Sequence, residues 1–223
     1  MNPQQGNSRG LRLTRLLSGS CSAPATEPAS GEATDKKEQA PVTDDSFSID
    51  VAAIRDRARQ KMDRGPVTED YGADPAKVVE ILNEVLATEI VCWMRYTRHA
   101  ISATGINRAQ VSSEFTVHAE EERGHAMRVA ERISQLGGDP DFDPATVAAR
   151  AHTTYETFSD DDLEGMLREN LVAERIVIAT YQEIIRWLGS TDVTTRRLIE
   201  DILIEEEEHA DDILDLLGSD AGA

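Results

Sequence analysis

Two copies of one arrangement of ligand-type residues stand out in this chain. In each copy a single glutamate is followed, about one helical hairpin later, by a Glu-x-x-His. The residues are Glu89, Glu122 and His125 in the first copy and Glu174, Glu206 and His209 in the second. A Glu and a His three positions apart lie on one face of a helix. Four helices with these faces turned inward would bring four carboxylates and two imidazoles together, which is a ligand set that helix bundles use to hold two iron or manganese ions.

The two halves match beyond these residues. Tyr96 follows Glu89 by seven positions, and Tyr181 follows Glu174 by seven. A helix pair used twice predicts a bundle with pseudo-two-fold symmetry and two equivalent metal positions. Each tyrosine is predicted to pack in the core or, as the alternative, to donate a hydrogen bond to a ligand carboxylate.

A carboxylate inside an apolar core is costly unless it is paired or bound to a metal. Four carboxylates balance the charge of two divalent cations, and imidazole with carboxylate suits iron and manganese. The alternative, buried Glu–Arg pairs and hydrogen-bonded histidines, needs a separate explanation for each copy. Because carboxylates that crowd together oppose folding of the metal-free chain, removing one of them, such as Glu206, is expected to leave or raise its stability.

The other acidic and ligand-type residues are assigned other roles. The glutamates expected on solvated faces are Glu84, Glu120, Glu121, Glu169, Glu205, Glu207 and Glu208. His99 and His118 are isolated in the sequence and are expected to be structural or exposed. Cys92 is predicted to be a packed thiol, because neither of the two cysteines shows metal or disulfide spacing.

Apolar periodicity and helix-capping residues predict four long helices. The first begins at Pro75 after an Asp74 cap and runs to about residue 103, and the second spans about 107–136. A stretch of about twenty residues follows, with a short helix predicted at 145–150. Ser159 is predicted to cap the third helix, which Gly189 ends, and the fourth runs from 191 or 192 to Gly218. The inner stripe predicted for the third helix is Leu163, Leu167, Leu171, Glu174, Ile178, Tyr181 and Ile185.

The predicted fold is all-α, a four-helix bundle with one long crossover. Residues 1–47 are predicted to be a disordered N-terminal tail, 48–73 a short helix and linker that pack on the bundle, and 74–218 the bundle itself. The net charge of −19 makes nucleic acid an unfavourable partner, and no run of the sequence approaches the ~20 apolar residues that cross a bilayer. The chain is expected to be soluble and cytoplasmic.

With these motifs the sequence resembles the ferritin superfamily, and most closely its bacterioferritin-related and Dps-like branch. The resemblance covers residues 49–217 and implies a ferroxidase that oxidises Fe(II) to Fe(III) with O2 or peroxide, for iron storage or detoxification. It implies two irons per subunit, bridged by Glu122 and Glu206, and a cage-like homo-oligomer. Glu89 and His125 would complete one iron position and Glu174 and His209 the other.

Two departures from the bacterioferritin pattern bear on cofactor and assembly. Arg123 stands where haem-binding members carry methionine, so no haem is expected. The sequence ends just after the fourth predicted helix, without the short fifth helix of bacterioferritins, so a 24-subunit shell is not expected, and a smaller cage and no cage both remain open. Two other functions remain open: a rubrerythrin-like di-iron peroxidase or oxygenase, although no Cys-x-x-Cys module is present, and a Dps-like DNA-protecting shell.

Overall fold

The structure, a computed structural model, describes residues 47–220, with side chains to residue 218. Within that part the chain forms six α-helices, a short 3-10 turn at Met62–Arg64 and no strand. The helices are α1 Val51–Arg57, α2 Pro75–Ser102, α3 Arg108–Gln135, α4 Val147–Arg150, α5 Leu163–Leu188 and α6 Val193–Asp220. None of the described helices combines the length and apolar character that crossing a membrane requires. The predicted all-helical fold is confirmed, whereas almost all of the predicted tail lies outside the described residues.

The long helices pair as two hairpins, α2 with α3 and α5 with α6. Helix α2 begins as predicted, with Pro75 in its first turn and the Asp74 carboxylate accepting the Ala76 backbone N–H at 3.0 Å. Gly105 lies in the turn between α2 and α3 with a φ of 98°, a conformation that glycine adopts without steric cost. The hairpins therefore bring the predicted ligand helices side by side.

A long crossover joins the two hairpins and is fastened to α2. The Asn83 side chain accepts the Asp141 backbone N–H at 2.8 Å and donates to the Asp139 carbonyl at 3.2 Å. Arg150, at the end of α4, donates to the Asn83 carbonyl at 2.9 Å. These contacts give the crossover a defined path along the bundle, as the predicted topology requires.

Apolar side chains form two clusters, one toward each end of the bundle. The first takes its α2 residues from the N-terminal part of that helix, and the second from the C-terminal part. Buried members of the first include Val78, Leu82, Val85, Ile133, Val177, Ile199 and Ile202. Buried members of the second include Phe115, Met166, Leu167, Ile213 and Leu216. The predicted ligands lie along the helices between these two sets.

Two predicted helix limits are wrong. Asp162, not Ser159, caps α5, because its carboxylate accepts the Gly165 backbone N–H at 2.8 Å and the helix begins at Leu163. Helix α6 continues past Gly218 to Asp220. A helical glycine near a chain end does not by itself stop a helix, since the backbone hydrogen bonds can continue through it.

Candidate metal centre

All six predicted ligands meet in the centre of the bundle. They form two groups of four, and within each group one potential ligand atom from every residue lies within 4.8 Å of the others. The groups are Glu89, Glu122, His125 and Glu206, and Glu122, Glu174, Glu206 and His209. Each of the six residues is at most 2% exposed. Glu122 and Glu206 belong to both groups, so their carboxylates are shared between the two candidate positions for a metal ion.

Both imidazoles turn Nδ1 toward the carboxylates. His125 Nδ1 lies 3.0 Å from Glu206 and 3.4 Å from Glu89. His209 Nδ1 lies 3.6 Å from Glu206 and 3.7 Å from Glu122. One nitrogen of each ring is therefore directed at the space where a metal ion would bind.

The outer nitrogen of each imidazole contacts a glutamate that was expected on a solvated face. His125 Nε2 lies 3.0 Å from Glu205, and His209 Nε2 lies 2.9 Å from Glu121. Such contacts fix the ring orientation and the tautomer of a metal-binding histidine. Glu121 and Glu205 are partly exposed, as the prediction of solvated faces requires, but the prediction did not include their contacts with the imidazoles. The repeat itself could have identified them, because each directly precedes a motif glutamate.

The two tyrosines link the halves of the site across the bundle. Tyr96 on α2 donates its hydroxyl hydrogen to Glu174 on α5, and Tyr181 on α5 donates to Glu89 on α2. Both rings are fully buried. Of the two roles left open by the sequence, the tyrosines therefore pack in the core and also hold a carboxylate oxygen.

Several buried oxygens and nitrogens at this centre have no hydrogen-bond partner within residues 47–218. These atoms are both oxygens of Glu122 and Glu206, one oxygen each of Glu89 and Glu174, and Nδ1 of His125 and His209. Buried polar groups are nearly always paired. Unpaired donor atoms from six residues that converge on one space are the arrangement expected of metal ligands, and their carboxylate–imidazole chemistry suits iron.

The proton distribution of the metal-free centre follows from its geometry. Burial raises the pKa of Glu122 and Glu174 well above their ordinary values, and the charge of Glu206 raises both further. Burial also opposes the charge of Glu206, but the close approach of the His125 and His209 imidazoles brings its pKa below the ordinary value.

The two imidazoles carry the matching shifts. Burial lowers the pKa of His125, but the carboxylates of Glu206 and Glu89 more than offset this and raise it to about 11. Burial also lowers the pKa of His209, but the Glu206 carboxylate more than offsets this and raises it to about 9. The metal-free centre therefore holds imidazolium groups beside Glu206.

His99 and Cys92 have the structural roles predicted for them, whereas His118 does not. His99 is buried against Asn170, with 3.1 Å between Nδ1 and the amide nitrogen. Cys92 is buried and lies 3.5 Å from the Arg95 guanidinium, as expected of a packed thiol. His118 is not isolated, because its ring stacks on that of His209 with 4.1 Å between centroids. Sequence spacing missed this contact because the two rings come from different helices.

Comparison with known proteins identifies the family of the chain. The bacterioferritin-related protein of Bacteroides fragilis, described as a dodecameric thioferritin, is 37% identical with a TM-score of 0.65, over 67% of this chain and 89% of that chain. The DNA protection during starvation protein of Pyrococcus furiosus is 29% identical over 64% of this chain and 78% of its own length. A bacterioferritin of Desulfovibrio desulfuricans is 28% identical over 60% of this chain and 70% of its own length. The family model described as the ferritin-like domain matches residues 79–222, and the chain therefore belongs to the ferritin-like family.

Proposed function

We propose that this protein is a ferroxidase that binds two Fe(II) ions per subunit as substrates and oxidises them to Fe(III). The observation that carries the proposal is the convergence of unpaired, buried ligand atoms from six residues on two adjacent positions. Membership of the ferritin-like family and similarity to a bacterioferritin support iron as the metal.

The chemistry proposed for the pair is a two-electron reaction. Each Fe(II) gives up one electron, and the two electrons with two protons reduce O2 to hydrogen peroxide or reduce peroxide to water. Carboxylate oxygens stabilise Fe(III) more than Fe(II), because they are hard, negatively charged ligands. Glu122 and Glu206 would contact both ions and hold them close together, and the outer contacts of His125 and His209 would keep both rings in place.

Stopped-flow mixing tests this function. Anaerobic protein loaded with two Fe(II) per subunit is mixed with oxygenated buffer, and absorbance between 300 and 700 nm is followed. We expect rapid formation of a diferric species, with a break in amplitude at two irons per subunit. Oxidation at the rate of free Fe(II) in the same buffer, with no break, would contradict the proposal.

We also infer a cage-like homo-oligomer in the cytoplasm. The similar protein from Bacteroides fragilis is dodecameric. Several large apolar side chains are strongly exposed in the single chain, and burial between subunits would remove them from water. These include Ile101 at 81% and Ile106 at 99%.

DNA protection is a second candidate, because one similar protein is named for protecting DNA during starvation. The net charge of −19 opposes binding to a phosphate backbone. We therefore expect no shift of duplex DNA in a gel at moderate salt. A shift at protein concentrations near 1 μM would instead favour this candidate.

A further inference from the structure

A third group of ligand-type side chains lies beside the metal centre and shares no residue with it. Glu114 and His118 stand one turn apart on α3, and Asp212 faces them from α6. One potential ligand atom from each of the three lies within 4.8 Å of the other two. The group is therefore compact enough to hold a single metal ion.

His118 distinguishes this group from an ordinary acidic surface cluster. Its side chain is 1% exposed, yet neither ring nitrogen has a hydrogen-bond partner in the described part of the chain. Nε2 lies 3.4 Å from a Glu114 oxygen and 3.7 Å from an Asp212 oxygen, longer than good hydrogen bonds of this type. A buried imidazole without a partner, directed at two carboxylates, is an arrangement that a bound cation would satisfy.

We propose that Glu114, His118 and Asp212 bind a third divalent ion of the first transition row, separate from the two positions of the metal centre. Two carboxylates neutralise the charge of such an ion, and one imidazole nitrogen completes a three-ligand set. Fe(II), Co(II) and Zn(II) all accept such mixed ligands, with water in the remaining coordination positions.

The third site is open to solvent on one side and adjacent to the metal centre on the other. The carboxylate side chains of Glu114 and Asp212 are 32% and 47% exposed. The His118 ring stacks on the His209 ring, and one depression of about 180 Å³ reaches both histidines and Asp212. An ion held there would lie within one side-chain layer of the centre. The site requires no oxidation chemistry, so it stands or falls separately from the proposed ferroxidase.

The test uses Co(II) with the full-length protein. We expect calorimetric titration to show three ions per wild-type subunit, and anomalous scattering at the cobalt edge to place one of them between Glu114, His118 and Asp212. The double variant Glu114→Gln/Asp212→Asn, which leaves the buried His118 unchanged, should lose this ion and keep the other two. The variant Glu206→Gln should keep the third ion even if the centre loses its metal.

A control variant separates loss of the third ion from a general effect of lowering the negative charge. The double variant Glu120→Gln/Asp215→Asn makes the same charge change at exposed positions of the same two helices and should retain all three ions. A wild-type protein with cobalt only at the metal centre would overturn the proposal. So would a third anomalous peak that persists at the same occupancy in the Glu114→Gln/Asp212→Asn variant.

Discussion

The carboxylates of the metal centre are not equivalent in the metal-free chain. Glu206 lies between the Nδ1 atoms of His125 and His209, which lower its pKa, whereas burial and the charge of Glu206 raise the pKa of Glu122. The expectation that removing any one carboxylate relieves repulsion therefore applies to Glu122 and not to Glu206.

Because of this difference, Glu122→Gln and Glu206→Gln should have the same effect on iron oxidation but different effects on stability. We expect both Glu122→Gln and Glu206→Gln to slow iron oxidation by at least about 100-fold, since each removes a carboxylate shared by both metal positions. Without metal, Glu122→Gln should unfold at or above the wild-type temperature. Glu206→Gln should be less stable by on the order of 3 kcal/mol, because it removes the one fully buried charge that faces the Nδ1 atoms of both imidazolium groups.

Thermal unfolding followed by circular dichroism, in the presence of a chelator, measures the stability difference. Glu207→Gln is the control, because Glu207 is exposed on the same helix and should change neither property. Equal stability of the metal-free Glu122→Gln and Glu206→Gln proteins would show that the imidazoles are neutral.

Metal binding should release protons and strengthen as the pH rises. The raised pKa values of His125, about 11, and His209, about 9, mean that both rings hold an extra proton near neutral pH in the metal-free protein. A metal ion binds only the deprotonated nitrogen, so binding must displace these protons. Co(II) affinity should therefore increase from pH 6 to pH 8. Calorimetry in two buffers of different ionisation enthalpy counts the protons, and a binding enthalpy independent of buffer would refute the expectation.

Each buried tyrosine hydroxyl should contribute to metal affinity without being a ligand. Tyr181→Phe removes the donor to Glu89, and Tyr96→Phe removes the donor to Glu174, while both leave the packing of the ring unchanged. We expect Co(II) affinity to fall about 10-fold in each variant, as for other groups that orient metal ligands. Tyr155→Phe, at a partly exposed position, is the control. Unchanged affinity in the two buried variants would assign the tyrosines to core packing alone.

At this scale the sequence predicted the six residues of the centre because two matched copies limit the assignment. It missed Glu121, Glu205 and the stacking of His118 on His209. Those contacts depend on the rotation of α3 against α6, which periodicity within one helix does not determine.

At the scale of the element, the start of α5 offers a direct comparison between prediction and structure. Asp162→Ala removes the carboxylate that accepts the Gly165 backbone N–H, so we expect a loss of about 1 kcal/mol in the free energy of unfolding. Ser159→Ala changes the residue that the sequence pattern favoured and should have almost no effect. Urea unfolding of the metal-free proteins measures both changes. A larger loss of unfolding free energy for Ser159→Ala than for Asp162→Ala would show that Ser159 caps the helix.

The inner face of α5 shows why periodicity gave only part of the answer. Leu167, Glu174 and Tyr181 are buried as predicted, but Leu163 and Leu171 are only partly buried. The buried face also includes the polar Asn170, which accepts a 2.8 Å hydrogen bond from Arg95. An apolar stripe predicts where leucines face, but it cannot predict a polar pair between two helices. The start of α2 followed from its Asp74 cap and Pro75, because those act locally.

At the scale of the whole molecule, the buried members of the described core begin at Val78, and the partly buried side chains packed against them begin at Val67. We expect a chain that begins at Ser48 to keep its helical content and its metal stoichiometry, because residues 1–47 have a composition that buries little apolar surface. Circular dichroism and Co(II) titration of the shortened and full-length proteins compare the two. A loss of helicity or of bound metal in the shortened chain would show that the N-terminal segment is part of the fold.

The division of the ligands between the two hairpins has a mechanical consequence. One candidate group takes three residues from α2 and α3 and its fourth, Glu206, from α6, and the other takes three from α5 and α6 and its fourth, Glu122, from α3. Two bound ions would thus connect the α2–α3 hairpin to the α5–α6 hairpin. When the ions dissociate, the interface between the hairpins loses both connections and regains the repulsion among its carboxylates. The iron that the protein is proposed to oxidise would then also stabilise the folded bundle.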